Sequence, residues 1–229
     1  MRIEGVYDSK TLEFCQELSL PPPAAINAYS FDLRPRSLNF IQQRVLNQLF
    51  QDYYTSHVNY FLHFSREKDF VIKKIIDDLR KILQQEQNSG KSEENIYLEF
   101  SDEGVADFYD QFSTPYFWHY HPLANLNAIL QGKYIRGIVL SYSLLEDLYR
   151  KDEFYNFLAN FISSINTSAK KIQLILSLNW DQRPINELAS SFSFKWISFP
   201  LSARVESSYR HVDFIKLENY LKQSHHLSI

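Results

Sequence analysis

Side chains able to do acid–base or metal chemistry sit where short apolar runs of this sequence end. His119 and His121 stand two residues apart at the close of one such run. Side chains along a strand alternate in direction, so a strand there would put both imidazoles on one face. With Glu4 or Glu99 they would make a His-His-carboxylate set of the kind that binds divalent metals. Against this stands a plainer reading, with one histidine packed in a polar core and the other in the loop before Pro122. Histidine pairs are common outside metal sites. The plainer reading is preferred, and neither a metal nor a cofactor is expected.

Glu4 ends the first apolar run as an inward carboxylate, which needs a partner or a raised pKa if buried. His119 or an arginine is the expected partner, and structural and catalytic roles stand about equal. Arg34 and Arg36 flank Pro35 in a turn. Guanidinium groups suit carboxylate or phosphate recognition, but ion pairs with Asp8, Asp32 or Glu206 around a rim are the preferred reading. Ser141 lies in no Gly-x-Ser-x-Gly elbow and has no activating partner nearby in sequence. Cys15 falls mid-helix and reads as core. Asp32, His63, Tyr142, Asn179, Asp181, Ser202 and Arg204 complete the polar residues at run ends.

The elements that must position these groups alternate in type. Apolar runs at 2–6, 25–31, 58–64, 96–100, 116–120, 135–140, 172–176 and 194–199 read as strands. The second follows a stiff Pro21-Pro22-Pro23 turn. Apolar residues at helical spacing fill 9–18, with Ser9 as N-cap, then 38–54, 68–85, 105–112, 123–130, 144–165, 184–192 and 211–223. A polar stretch at 84–95 reads as a loop before the fourth strand. Eight strand–helix units in 229 residues predict one α/β domain, a single (β/α)₈ TIM barrel across 1–229. An open doubly wound sheet is the second choice, and would call for a glycine-rich first turn where the sequence has Tyr7-Asp8-Ser9.

Composition narrows the class. Net charge is −3, with 24 basic and 27 acidic residues, so no basic face invites nucleic acid. The N-terminus has no apolar leader and no run is long enough to cross a bilayer, so a cytoplasmic protein without membrane contact is expected. A single cysteine precludes an internal disulfide. Only 5 glycines occur, which disfavours phosphate-cradling loops. The 18 Phe and 15 Tyr read as core and helix packing, with exposed members leaving a homodimer open.

Three stretches carry a family resemblance. The chain opens Arg2-Ile3-Glu4-Gly5-Val6-Tyr7, turns through Phe31-Asp32-Leu33-Arg34-Pro35-Arg36-Ser37-Leu38-Asn39, and ends its eighth strand in Ser202-Ala203-Arg204-Val205-Glu206. In order and spacing these resemble the phosphoribosylanthranilate isomerases, barrels that perform an Amadori rearrangement in tryptophan synthesis. Their register covers nearly the whole chain. The resemblance places the family's basic cysteine at Glu4 and its acidic aspartate at Ser141. Its carboxylate-binding arginine falls at Asn39, its phosphate-binding glycines at Leu178-Asn179 and Arg204. All five positions differ. An Amadori rearrangement needs both a proton donor and a proton acceptor. Serine does not replace aspartate as an acid at neutral pH, and Leu178 would obstruct phosphate-binding amides.

The leading expectation is therefore a divergent barrel without isomerase activity, binding an unknown small molecule or protein partner at the strand C-termini. Arg34, Arg36, Asn39, Glu99, His119, His121, Asn179, Ser202 and Arg204 are the candidate ligand-binding residues. An enzyme with altered acid–base or metal-assisted chemistry through Glu4, Glu99 and His119 is the second expectation. A genuine isomerase with relocated catalytic groups is the third, and any retained catalysis would be isomerase-like. Arg204, a cation where the family has glycine, is expected to fill the former phosphate site and occlude the pocket.

Overall fold

Strand formation follows the apolar runs closely. The strands are β1 (Arg2–Glu4), β2 (Ala28–Asp32), β3 (Asn59–Phe64), β4 (Ile96–Phe100), β5 (Tyr116–His119), β6 (Ile135–Ser141), β7 (Gln173–Ser177) and β8 (Phe194–Pro200). In this computed structural model they pair in parallel, in sequence order, and β1 closes on β8 to complete a barrel. The structure describes residues 1–20, 25–85 and 95–224. The Pro21-Pro22-Pro23 turn, and all but the ends of the 84–95 loop, lie outside the described residues.

The helices are α1 (Ser9–Glu17), α2 (Gln43–Tyr53), α3 (Asp69–Gln85), α4 (Ala106–Asp110), α5 (Leu126–Leu130), α6 (Tyr142–Arg150), α7 (Phe154–Thr167), α8 (Asn186–Ser190) and α9 (Phe214–Ser224). Their apolar stripes meet the outward strand faces. Leu46, Leu49 and Phe50 of α2 are buried, as are Ile72, Ile75, Ile76, Leu79 and Leu83 of α3. Phe70 points away from that stripe and is exposed. No helix among the described residues is long and apolar enough to cross a membrane.

Four expectations are corrected. Asp8, not Ser9, caps α1, its carboxylate accepting the Thr11 N–H at 2.8 Å. Residues 38–42 are not helical, because the Ile41 N–H is taken by the Asp32 carbonyl at 2.8 Å. The 144–165 segment breaks into α6 and α7 where Asp152 adopts φ +57°. The last helix begins at Phe214, since His211–Val212 forms a short strand, β10, antiparallel to β9 (Glu206–Ser208).

Period-two alternation gives the barrel two cores. Outward residues such as Ile3, Tyr60, Leu62, Leu98 and Trp118 pack under the helices. Inward residues form a separate cluster of Ala28, Phe61, Phe117, Val139, Ile175 and Trp196, with Tyr97 against it. Aromatic edges meet faces there: Phe61 and Trp196 lie 5.5 Å apart at 85°. Gly137 admits Phe117, whose ring would lie 2.2 Å from an added Cβ. Truncating Phe61 to alanine in so tight a layer would cost about 3–5 kcal/mol. This apolar plug fills the N-terminal half of the barrel. The next inward residue of each strand is polar, and those of β1 to β5 and of β8 build the site.

Candidate functional site

Arg2 is the first polar side chain above the plug, fully buried with its guanidinium 4.7 Å over the Phe61 ring. Its Nε donates to Ser198 Oγ at 2.8 Å. Its Nη2 donates to Glu99 Oε1 at 2.8 Å and to Glu4 Oε1 at 3.0 Å. Glu99 is also fully buried, and Ser30 Oγ donates to its other oxygen at 3.0 Å. A charge with no water must be paired and fully hydrogen-bonded, and Glu99 meets that demand. Burial alone would raise its pKa, but Arg2 together with His63 and His119 holds it well below the ordinary carboxylate range.

Two imidazoles flank this carboxylate. His119 Nε2 lies 2.5 Å from Glu99 Oε1, the geometry of an imidazole N–H donating to a carboxylate. His63 stacks on His119 with ring centroids 4.7 Å apart and planes at 11°. His63 Nδ1 faces Glu99 Oε1 at 4.0 Å, too long for a hydrogen bond, and Nε2 is buried with no partner among the described residues. Burial pushes the His63 imidazole down to about 3 against the pull of Glu99, so it is neutral at physiological pH. One ligand atom from each of His63, Glu99 and His119 falls within 4.8 Å of the others.

A cavity of about 570 Å³ opens above this layer, over the C-terminal ends of β1, β2, β3 and β8. Glu4, Ser30, Asp32, Arg34, Ser37, Asn39, His63, Ser202 and Glu206 supply its main polar lining. Three of those are carboxylates and one is a guanidinium. That guanidinium is engaged: Arg34 Nη2 meets Asp32 Oδ2 at 2.5 Å and its Nε donates to Oδ1 at 2.8 Å. Burial would raise Asp32, but Arg34, His63 and the Ser37 hydroxyl outweigh it and hold the carboxylate below its usual value. Glu206 accepts a hydrogen bond from the Tyr7 hydroxyl at 2.9 Å.

Gly5 shapes one wall. It turns β1 out of the barrel at φ +74°, and an added Cβ would lie 2.5 Å from Asn39 Nδ2. That amide donates to the Leu201 carbonyl at 2.6 Å, tying the β2 loop to β8. Only glycine combines this backbone with so close an approach.

Among the expected site residues, Glu4, Arg34, Asn39 and Ser202 line the cavity, and Glu99 and His119 lie in the polar layer. The others lie elsewhere. β5 ends at His119, so His121 does not share its face. Its Nε2 lies 3.1 Å from the Ser101 carbonyl, and its ring meets Trp118 edge-on. Arg36 is exposed beside a separate hollow with Arg66 and Glu67. Ser141 is exposed at the end of β6, and Asn179 is exposed in the turn after β7. The expected plug is absent. Arg204 turns outward, 64% exposed, with its Nε 2.7 Å from Asp181 Oδ2, while Leu178 is buried in the outer core.

From sequence Arg2 draws no notice and His63 stands only as a strand-end residue, while Asp32 stands also as an expected ion-pair partner of Arg34, which the structure shows it to be. A signal existed. Arg2 is two residues from Glu4, His63 two from Phe61 and Glu99 two from Tyr97, so period two places them all inside the barrel.

The sequence matches no family model and no curated protein. Solved structures with this architecture do exist. Phosphoribosylanthranilate isomerase from Thermotoga maritima is 12% identical with a TM-score of 0.61, covering 100% of this chain and 98% of that one. The Thermus thermophilus isomerase is 10% identical with a TM-score of 0.62, covering 99% and 98%. An isomerase solved with reduced 1-(o-carboxyphenylamino)-1-deoxyribulose 5-phosphate is 14% identical with a TM-score of 0.59, covering 96% and 95%. The likeness runs the length of the chain and is one of fold.

Proposed function

We propose that this phosphoribosylanthranilate isomerase-like barrel does not perform the isomerisation. It binds instead a small, hydroxyl-bearing ligand that is neutral or cationic, at the C-terminal ends of β1, β2, β3 and β8. The observation that carries this reading is the charge of the cavity. Glu4, Asp32 and Glu206 line it against Arg34 alone, and Arg34 is already paired with Asp32. A ligand carrying both a phosphate and a carboxylate would face like charge there, at a cost that grows as water is expelled. Serine hydroxyls at 30, 37, 202, 207 and 208 suit a polyol.

The positions matching the family's machinery support the same reading. Ser141 stands where the acid would be, outside the cavity lining, and Asn39 holds Leu201 where an arginine would hold substrate. One barrel fold serves many chemistries, so the site and not the fold carries the function.

Two experiments test the reading. The gene is expected not to restore growth to a tryptophan auxotroph lacking the isomerase, and restored growth would overturn the proposal. In thermal-shift titrations of the full chain, glucosamine is expected to raise Tm and inorganic phosphate to leave it unchanged. Stabilisation by phosphate alone would reverse the assignment of ligand charge.

A further inference from the structure

We infer that His63, Glu99 and His119 form a binding site for one divalent first-row transition metal ion, with an open coordination position facing the cavity. The inference does not depend on which small molecule fills that cavity.

The donors come from three neighbouring strands: His63 pairs with Glu99 in the β3–β4 register, and His119 stands on β5 two residues beyond Phe117, the register partner of Glu99. Two imidazole nitrogens and one carboxylate oxygen are the ligand set that zinc and ferrous iron take when a position is left for substrate or water. Zinc sits about 2.0–2.2 Å from such atoms, which puts tetrahedral neighbours about 3.3 Å apart. The present separations are 2.5 Å between His119 Nε2 and Glu99 Oε1 and 4.0 Å between His63 Nδ1 and the same oxygen. One must open and the other close, each by less than about 1 Å, and the two imidazole ligand atoms, within 4.8 Å of each other, must also draw to that spacing.

His63 gives the independent observation. It is 93% buried, yet neither ring nitrogen makes a hydrogen bond to a described residue. Buried polar groups are almost always satisfied, so an orphaned imidazole facing a carboxylate and a second imidazole marks a missing partner. Whichever nitrogen binds, His63 surrenders no hydrogen bond.

Charge and access fit as well. Ser30 holds the Glu99 carboxylate through its other oxygen and Arg2 through Oε1 itself, the supporting role that outer groups play around metals. Glu4 shares Arg2 Nη2 with Glu99, and Asp32 pairs with His63 in the β2–β3 register, so negative charge offsets the guanidinium. His63 lines the cavity and the His119 side chain is 23% exposed, which leaves an ion a way in.

The test is isothermal titration of zinc chloride into the chelator-treated full chain. One ion per chain is expected. His63→Gln and His119→Gln are each expected to weaken binding by more than the roughly 10–100-fold that loss of a supporting residue costs. His121→Ala, outside the cluster, should bind as wild type does. Variants are compared only where circular dichroism and Tm show a native fold. If neither folds, the zinc K-edge spectrum of the loaded wild type decides: two imidazoles and a carboxylate oxygen support the site, and no imidazole overturns it. The inference also fails if wild type binds no zinc, or if the His63 and His119 variants bind it undiminished.

Discussion

Arg2 and Glu99 meet at 2.8 Å inside the barrel with neither side chain touching solvent. They are 97 residues apart in sequence, and their pairing joins β1 to β4 across the barrel interior. An ion pair this deep contributes little net stability against an apolar substitute, but removing one partner strands the other. Arg2→Met is therefore expected to lower unfolding free energy by about 3–5 kcal/mol. Glu99→Gln added to Arg2→Met should cost much less than the sum of the single changes. Chemical denaturation of the four proteins checks this, and strict additivity would show that the pair is not coupled.

Asp32 carries a signed pH dependence. Its carboxylate is held below its usual value in the folded chain, so the folded state binds fewer protons than the unfolded one. Its stabilising contribution is complete above about pH 4 and fades as pH falls through the lowered folded value. Wild type should exceed Asp32→Asn in stability at pH 7, and the gap should narrow by pH 3. Urea denaturation at both values measures it, and a constant gap would remove Asp32 as the source.

Gly5 and Asn39 should be coupled. Gly5→Ala places a Cβ at φ +74°, within 2.5 Å of Asn39 Nδ2, and the backbone strain alone costs about 1–2 kcal/mol. In an Asn39→Ala background the Nδ2 and Cγ contacts are gone and only the residue-39 Cβ, 2.9 Å away, still crowds the new methyl. The second Gly5→Ala penalty should then be smaller than the first, and equal penalties in thermal unfolding would contradict the contact.

Cys15 is 2% exposed, and burial, with nearby Asp8 adding to it, pushes its thiol up to about 12. It should be inert to a disulfide reagent at pH 8 in the native chain and react at once in denaturant. Rapid native labelling would mean that α1 opens readily.

Much of this architecture was legible in the sequence. Strand ends are readable because β-branched and aromatic runs stop at polar residues, and β4 spans 96–100 as its apolar run predicts. What escaped detection was set by contacts distant in sequence. Residues 38–42 look helical in period, yet the Asp32 carbonyl captures Ile41. The β9–β10 hairpin is too short to carry a period. His121 shares a face with His119 only where the strand continues, and β5 stops at His119. Arg2 went unnoticed because a basic residue next to the N-terminus reads as solvent-exposed; only closure of β1 between β2 and β8 buries it. The open mouth was hidden for a similar reason, since Arg204 finds its partner in Asp181 on another loop.

On the proposed function, the cavity serves a ligand other than a phosphorylated anthranilate. The most direct measurement is a fluorescence assay of the purified full chain with phosphoribosylanthranilate as substrate. No turnover above the uncatalysed rate is expected, with or without zinc. Turnover that scales with protein concentration, and that falls in a Glu4→Gln variant, would contradict it.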